Sequence, residues 1–489
     1  MKTDDKVARK SGSWRNWLTL AGGVVAVGSF FAFLLLFAID MLAAYSNPYM
    51  GILAYVIAPG FLFLGLTLVV AGIWWQRWRA RKLGVVVSSF LAVDLSRSQD
   101  RKKLWIFGGA SVVFLLATAI GSYQTYHVAE SVQFCGQACH GPMKPEYVAY
   151  QVSPHARVSC VQCHVGGGAE AFVRAKMNGV HQLIAVFTDD YHRPIKTPIR
   201  NLRPARETCE QCHWPQKFSG NIDRTYQSYL ADETNTPYAV RLSLLVGGAD
   251  PEYGPVGGIH WHVSQENKIE YIATDERRQV IPWVRVTDPQ GNITEYRTPR
   301  FTNDVRGFEI RTMDCMDCHN RPAHQYASPN DAVNFAMRIG KISPSIPWVK
   351  SNVVELLAEE YATETEALEK LKAGLREIYA DRPEVDQLVT EVQNIYRKNF
   401  FPEMKVSWEA YPVNAGHKDW PGCFRCHDDR HHATTSERTI PASGCQSCHT
   451  ILAQGQGAEL DLITPQGQEF RHPGDPIDGA CNDCHTGGP

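Results

Sequence analysis

Residues 135–164 read CGQACHGPMKPEYVAYQVSPHARVSCVQCH, and this stretch contains two cysteine pairs, each followed directly by a histidine. The same arrangement recurs five more times further along the chain, as C-x-x-C-H each time. The first pair differs from the others because three residues, instead of two, separate its cysteines. All 14 cysteines of the 489-residue chain belong to these seven pairs. The same cysteine–histidine motif therefore recurs along the whole chain after residue 134.

This unit is the attachment signature of c-type heme, in which two thiols form thioethers and the adjacent imidazole reaches the iron. Zinc sites combine cysteine pairs in twos, but seven is odd, and neither zinc nor disulfides explain the histidines. We therefore predict seven covalently attached hemes. The first to seventh motifs are Cys135/Cys139/His140, Cys160/Cys163/His164, Cys209/Cys212/His213, Cys315/Cys318/His319, Cys423/Cys426/His427, Cys445/Cys448/His449 and Cys481/Cys484/His485.

Eleven of the 18 histidines lie outside the motifs, which is enough to supply a second axial ligand to every heme. Nothing in the sequence therefore requires an iron with an open, reactive position. At strand spacing, His260 and His262 would share one face, so we expect one to bind iron and the other to tune the site or contact a propionate. The candidates near a motif are His155, His324, His417, His431 and His472; His181, His192 and His432 are weaker candidates.

Three uncharged apolar stretches, 17–39, 51–75 and 104–122, are long enough to cross a bilayer as helices. Five Lys or Arg precede the first stretch, eight lie between the second and third, and none lies in 40–50. The positive-inside rule then places the N-terminus in the cytoplasm and everything after residue 122 in the periplasm. The first stretch is longer than the apolar part of a signal peptide, and cleavage there would leave the C-terminal part on the same side.

The predicted fold class is mainly α with little regular structure. We predict a membrane anchor (1–122), a tetraheme domain (123–330) with a small β insertion at about 226–300, a helical segment (331–400) and a C-terminal triheme domain (401–489). Short β-rich runs broken by Gly and Pro indicate the insertion, and helical periodicity over 352–372 and 383–398 indicates the helices. The net charge of −2 gives no basic footprint for nucleic acid.

The run from Cys139 through Met143, the segment Ser153-Pro154-His155 before the second motif, and Cys318-His319-Asn-Arg-Pro-Ala-His324 together resemble the NapC/NirT/NrfH family of membrane-anchored quinol dehydrogenases. The resemblance covers about 104–330. The whole plan of three helices and seven motifs is similar to the inner-membrane heptaheme cytochromes of metal-reducing bacteria, the ImcH type. The family normally has one membrane helix and four hemes, so the chain departs from it by two helices and three motifs.

The resemblance implies roles for particular residues. Met143 corresponds to the axial ligand of the first heme beside the quinol pocket, although the extra residue in the first motif leaves open whether His140 or Met143 binds the iron. His324 corresponds to a ligand of the second heme and His155 to a ligand of the fourth. Lys176 falls on a family lysine near the quinol.

Two functions follow as hypotheses. In the first, the protein oxidises quinol, with menaquinol as the expected substrate, and passes electrons to periplasmic cytochromes or reductases and onward toward extracellular acceptors. Quinol loses protons with its electrons, so a titratable group is needed near the first heme; the candidates are Lys176, His127, Glu130 and Lys144. In the second, the chain is a conduit in a membrane complex, and a partner subunit oxidises the quinol. A homo-oligomer is compatible with either hypothesis, and a terminal reductase is disfavoured by the supply of histidines.

Overall fold

The computed structural model describes residues 17–42, 53–83, 95–138, 140–165, 169–199, 204–247, 257–474 and 485–488. The chain divides into two compact units, Met1–Cys135 and Gly136–Pro489. About half of the chain is helical, with some small sheets. This agrees with the predicted mainly α class and with the predicted small amount of β structure, but the chain has more regular structure than was predicted.

The first unit consists of three long helices, α1 (Trp17–Leu42), α2 (Ala58–Leu83) and α3 (Ser98–Ala129). Helices α1 and α2 approach each other closely at two glycines. A Cβ atom added at Gly22 would lie 2.7 Å from the carbonyl oxygen of Gly65, and one added at Gly65 would lie 2.5 Å from the amide nitrogen of Ala26. Small residues allow such close contact between helix backbones, as is typical of helices that pack in a bilayer.

Two helices in the described part of the chain, and not the predicted three, are long and apolar enough to cross a membrane: Trp17–Ile39 and Leu53–Arg79. The third predicted span, 104–122, does lie within a helix, α3, but several of its side chains lie outside the described residues. The described residues therefore support two spans, and the third stays a prediction. Segment 1–16, on which the predicted orientation depends, also lies outside the described residues.

In the second unit, short helices carry several of the motifs. The two cysteines of a C-x-x-C pair are three residues apart, so one helical turn places both thiols on the same side. Two of these turns begin with a capping box, Ser159 with Gln162 and Asp314 with Asp317. The helices of this part are α4 (His140–Val152), α5 (Cys160–His164), α6 (Ala169–Phe187), α7 (Ala205–Cys209) and α8 (Cys315–Cys318).

Four further helices form the largest apolar core of the second unit: α9 (Pro329–Arg338), α10 (Val349–Ala358), α11 (Glu364–Ile378) and α12 (Val385–Asn399). The periodic run predicted over 352–372 is divided between α10 and α11. The division occurs because the Thr363 side chain caps a new helix by accepting a hydrogen bond from the amide of Glu366. Residues Ala367, Leu371 and Leu375 then recur every fourth position and are fully buried.

Two antiparallel sheets occupy the region predicted as an insertion. Their strand orders are β1-β2-β8 and β6-β3-β4-β5-β7. The last strand in each order comes from beyond residue 430, so both sheets join the predicted insertion to the C-terminal part of the chain. The strands are β1 (Ile222–Tyr229), β2 (Pro237–Leu244), β3 (Lys268–Ile272), β4 (Trp283–Thr287), β5 (Ile293–Arg297), β6 (Arg311–Thr312), β7 (His432–Ala433) and β8 (His449–Gly455).

Candidate heme sites

Five motif histidines each face a different histidine from outside the motifs. The ring centroids of each pair are about 6 Å apart. The pairs are His164 with His324 (6.2 Å), His213 with His155 (6.1 Å), His319 with His260 (6.4 Å), His427 with His262 (5.8 Å) and His449 with His417 (6.1 Å).

These separations fit a metal held between two imidazoles. A metal–imidazole bond is about 2 Å long, and a ring nitrogen lies about 1 Å from its ring centre, so two imidazoles on opposite sides of one iron have centres about 6 Å apart. Aromatic rings in simple contact span a range of about 4.5–7 Å, so the distance alone does not distinguish a shared metal from a ring contact. The one-to-one pairing favours a shared metal, because each motif histidine in the set has its own partner. The residues present therefore fit five hemes with two histidine ligands each.

The hydrogen bonds of the partner histidines support the same reading. In each of four partners, the Nδ1 atom lies at hydrogen-bond distance from a backbone carbonyl oxygen, which leaves Nε2 available for a metal. Histidines that bind metals usually donate their other ring N–H to such an acceptor. The contacts are His155 to Pro322 (3.1 Å), His260 to Val246 (2.5 Å), His262 to Ile259 (2.9 Å) and His324 to Glu146 (3.0 Å).

Burial keeps most of these imidazoles neutral, which is the form that binds a metal. In the following seven histidines, removal from water disfavours the charged ring and lowers the pKa: His164, His262, His319, His324, His417, His427 and His449. All eleven described cysteines are free thiols, so the second to sixth motifs retain both thiols for attachment.

Neighbouring motifs in the sequence are also neighbours in space. Burial raises the pKa of the Cys163 thiol, and Cys212 of the third motif adds to the effect. Interaction with Cys315 of the fourth motif raises the pKa of Cys209 in the third. Burial raises the pKa of Cys318 to about 11, with Cys423 of the fifth motif contributing. Burial likewise raises the pKa of Cys448 in the sixth motif, again with a contribution from Cys423. The second to sixth motifs therefore follow one another in sequence order.

The seventh motif is described only at its histidine, since Cys481 and Cys484 lie outside the described residues. The Nδ1 atom of His485 donates to the carbonyl oxygen of Lys418. This backbone group follows His417, whose pKa is lowered by burial, then by His449, and further by His485. His472 contacts the Phe470 ring and the carbonyl of Pro473, and no contact between it and a motif histidine is seen in the described residues.

The structure changes three of the sequence interpretations. His155 lies beside His213 of the third motif, and not beside His319 of the fourth as the resemblance implied. The segment Ile259–Val263 is a 3-10 turn and not a strand. Since residues two apart on such a turn do not share a face, His260 and His262 point to different motifs.

His431 is the third correction. It was expected to be a ligand because it follows the fifth motif closely, but it is fully buried and both ring nitrogens already have acceptors. Its Nδ1 lies 2.7 Å from the Asp428 carboxylate, and its Nε2 lies 2.8 Å from the carbonyl oxygen of Ile281. Both nitrogens are engaged by these acceptors, so we do not expect His431 to bind iron.

Replacement of this residue tests the correction. In His431→Ala, we expect every low-spin heme signal in the electron paramagnetic resonance (EPR) spectrum to remain, because no axial ligand is lost. Stability falls by about 1–3 kcal/mol, since the Ile281 carbonyl and the Asp428 carboxylate lose their donor inside the protein. A thermal melt and an EPR spectrum of the same sample measure both effects. A new high-spin signal would restore His431 as a ligand.

The first motif is described in part. Cys139 and the side chain of His140 lie outside the described residues, and Met143 is half-buried on α4. His140 and Met143 are three residues apart, so they share one face of this helix. Both candidate ligands of the first heme therefore belong to one helix.

The four candidate proton acceptors differ in their surroundings. The Lys176 side chain lies outside the described residues. Lys144 forms an ion pair with Glu364 of α11. At the end of α3, the His127 ring contacts Tyr123 at 4.4 Å between centroids. Glu130 accepts a hydrogen bond from Tyr126, which raises the pKa of that tyrosine.

Sequence reasoning missed two residues at these sites. Tyr126 lies four positions before Glu130, which is the spacing that brings helical side chains together, so the sequence did contain a signal for it. Glu146 is the acceptor for His324, and nothing in the sequence distinguishes it from other helical glutamates.

Comparison with known proteins places these sites in a family. Residues 97–205 match the N-terminal region of the NapC/NirT cytochrome c family. The cytochrome c-type protein ImcH of Geobacter sulfurreducens is 42% identical over 482 residues, which cover 94% of this chain and 92% of that protein. No solved structure matches the chain. The chain therefore belongs to the NapC/NirT cytochrome c family and is a membrane-anchored c-type cytochrome of electron transport.

Proposed function

We propose that this cytochrome oxidises quinol, with menaquinol as the expected substrate, at the periplasmic face of the inner membrane. Its seven motifs hold seven hemes, which supply one-electron transfer when attached. The electrons then leave to periplasmic cytochromes or reductases, and the resemblance to the inner-membrane heptaheme cytochromes of metal-reducing bacteria favours a route toward extracellular acceptors. The observation that carries the proposal is the series of five facing histidine pairs on successive motifs.

Paired ligands favour electron transfer over chemistry at iron. Each of the five partner histidines would close the second axial position opposite a motif histidine, and an open position is what a substrate such as nitrite needs. The motif order supports a linear path from the second site to the sixth. The contact between His485 and the segment after His417 extends that path to the seventh site.

The proposed orientation places the motifs in the periplasm. It is supported by the basic residues on both sides of the first two spans: five in 1–16 and eight in 76–103. Two spans alone would leave both ends of the chain on one side of the membrane, so the periplasmic placement requires that α3 also crosses, over 104–122, as the sequence predicts. The first motif then follows the membrane directly in the sequence, where a quinol headgroup is accessible.

Quinol oxidation delivers two electrons and releases two protons, so the protein must accept or relay protons near the first motif. Four described residues at the end of α3 offer such groups: Tyr123, Tyr126, His127 and Glu130. Aromatic residues are also typical of the bilayer interface. Lys144 is less suited to this role because Glu364 already holds its ammonium group. Lys176, placed on α6 by its backbone, is the acceptor that the family resemblance favours.

The variant Lys176→Ala tests the quinol site. We expect slower reduction of the hemes by a menaquinol analogue, by about 100-fold or more if the lysine acts in proton transfer. Reduction by dithionite stays unchanged because it needs no quinol pocket. Stopped-flow absorbance at the heme α-band measures both rates.

Lys341→Ala is the matched control, because Lys341 is an exposed lysine that pairs with Glu391 of α12 and belongs to no motif. It should behave as wild type with both reductants. Equal quinol-driven rates in Lys176→Ala and Lys341→Ala would remove Lys176 from the mechanism.

A further inference from the structure

Glu146 lies on α4, one helical turn after Met143, and its side chain is only 14% exposed. One of its carboxylate oxygens is 3.1 Å from Nδ1 of His324. The backbone carbonyl oxygen of the same glutamate is 3.0 Å from that nitrogen. The distal imidazole at the second motif therefore faces both a neutral acceptor and a carboxylate, and both belong to one residue.

Arg321 holds this carboxylate in place. Its Nη2 atom donates to the two oxygens of Glu146 at 3.3 and 3.2 Å, and its Nε donates to the carbonyl oxygen of His324 at 2.7 Å. The Arg321 side chain is 8% exposed, and its guanidinium carbon lies 4.3 Å from the centroid of the Tyr411 ring. Because Arg321 is fixed on both sides, it restrains the carboxylate beside the imidazole and also offsets part of its negative charge.

We propose that Glu146 is a positioning residue that lowers the reduction potential of the second heme, and that Arg321 limits this effect. The inference rests on the proposed role of His324 as an iron ligand. A negative charge beside an axial imidazole makes the ring a stronger donor and stabilises the oxidised iron. The neighbouring positive charge acts in the opposite direction. None of the other distal histidines with a described Nδ1 contact to a backbone carbonyl has a carboxylate recorded at the same nitrogen.

The location of Glu146 relates its effect on the second heme to the first heme site. Met143 and Glu146 are three residues apart and share one face of α4, so the helix that carries the first site also carries the charge that acts on the second. A low potential at the second heme slows the step that withdraws electrons from the first. The pair of Glu146 and Arg321 thus sets the driving force of the first transfer after quinol oxidation.

Two substitutions with opposite expected shifts test this proposal. Glu146→Gln removes the charge and keeps the backbone carbonyl, so the midpoint potential of the second heme rises. Arg321→Gln leaves the carboxylate uncompensated, so the same potential falls. Loosened packing alone would not move the potential in opposite directions. EPR-monitored redox titration of the purified full-length protein measures each shift, and the second heme is identified as the low-spin signal lost in His324→Ala.

Glu391→Gln is the control, since Glu391 has a similar exposure of 15% and pairs with Lys341, and neither residue belongs to a motif. It should leave every potential unchanged. Unchanged potentials in both Glu146→Gln and Arg321→Gln, or shifts of the same sign, would overturn the proposal while leaving the proposed function intact. An unaltered EPR spectrum in His324→Ala would instead contradict the assignment of His324 as an iron ligand. The interpretation of both substitutions depends on that assignment.

Discussion

In His260→Ala and His262→Ala, we expect two different hemes to change from low spin to high spin. His260 faces His319 of the fourth motif, and His262 faces His427 of the fifth, although both lie on the 3-10 turn Ile259–Val263. Removal of either ring leaves one iron with a single protein ligand. The EPR spectrum of each variant should therefore lose one low-spin signal, and the two lost signals should differ.

The double variant should lose both signals and show the largest effect on electron flow. His260 and His262 face the fourth and fifth motifs, so the double variant removes a ligand on each side of the junction between the first four motifs and the last three. We expect quinol-driven reduction of the last three hemes to slow in the double variant, while dithionite still reduces all of them. His432→Ala is the control because this exposed histidine has no described contact with a motif histidine. Loss of the same signal in both single variants would contradict the assignment of two hemes to one turn.

The double substitution Cys445→Ala/Cys448→Ala should reduce the number of attached hemes from seven to six. The two thiols are the covalent anchors of the sixth motif, and neither has another partner cysteine in a disulfide among the described residues. Loss of the heme also leaves His417 and His449 facing each other without a metal. The intact mass and the pyridine hemochrome absorbance per chain count the hemes.

The same experiment separates heme from zinc. The wild type should contain seven iron atoms per chain and the variant six, with no zinc that changes in parallel. The surface substitution Ser436→Ala, in the same C-terminal part, should retain seven. A wild-type count below seven would contradict the prediction of seven hemes, and a count that Cys445→Ala/Cys448→Ala leaves unchanged would contradict attachment at this motif.

Local pattern predicted the motifs and much of the helical structure. The attachment signature needs only adjacent residues, so it is legible in the sequence. The buried positions Ala367, Leu371 and Leu375 likewise follow from helical periodicity. The break before α11 was not predicted, because the Thr363 cap is a local hydrogen bond that competes with an otherwise continuous apolar pattern.

Pairing between distant residues was beyond the sequence. His262 and His427 are far apart in the chain, and only the sheet and turn that position them bring their rings to 5.8 Å. His431 shows the opposite case, since proximity to a motif suggested a ligand but Asp428 and Ile281 take both nitrogens. Strand β8 pairs with β2 across the predicted domain boundary for the same reason: hydrophobic pattern identifies a strand but not its partner.

The reaction with quinol is the central claim, and stopped-flow mixing tests it most directly. Oxidised full-length protein in detergent is mixed with a reduced menaquinone analogue, and the heme α-band is followed. We expect rapid, saturable reduction that a quinol-site inhibitor blocks. No reduction by the quinol, while dithionite reduces all the hemes, would contradict the claim and indicate a conduit that receives its electrons from a quinol-oxidising partner.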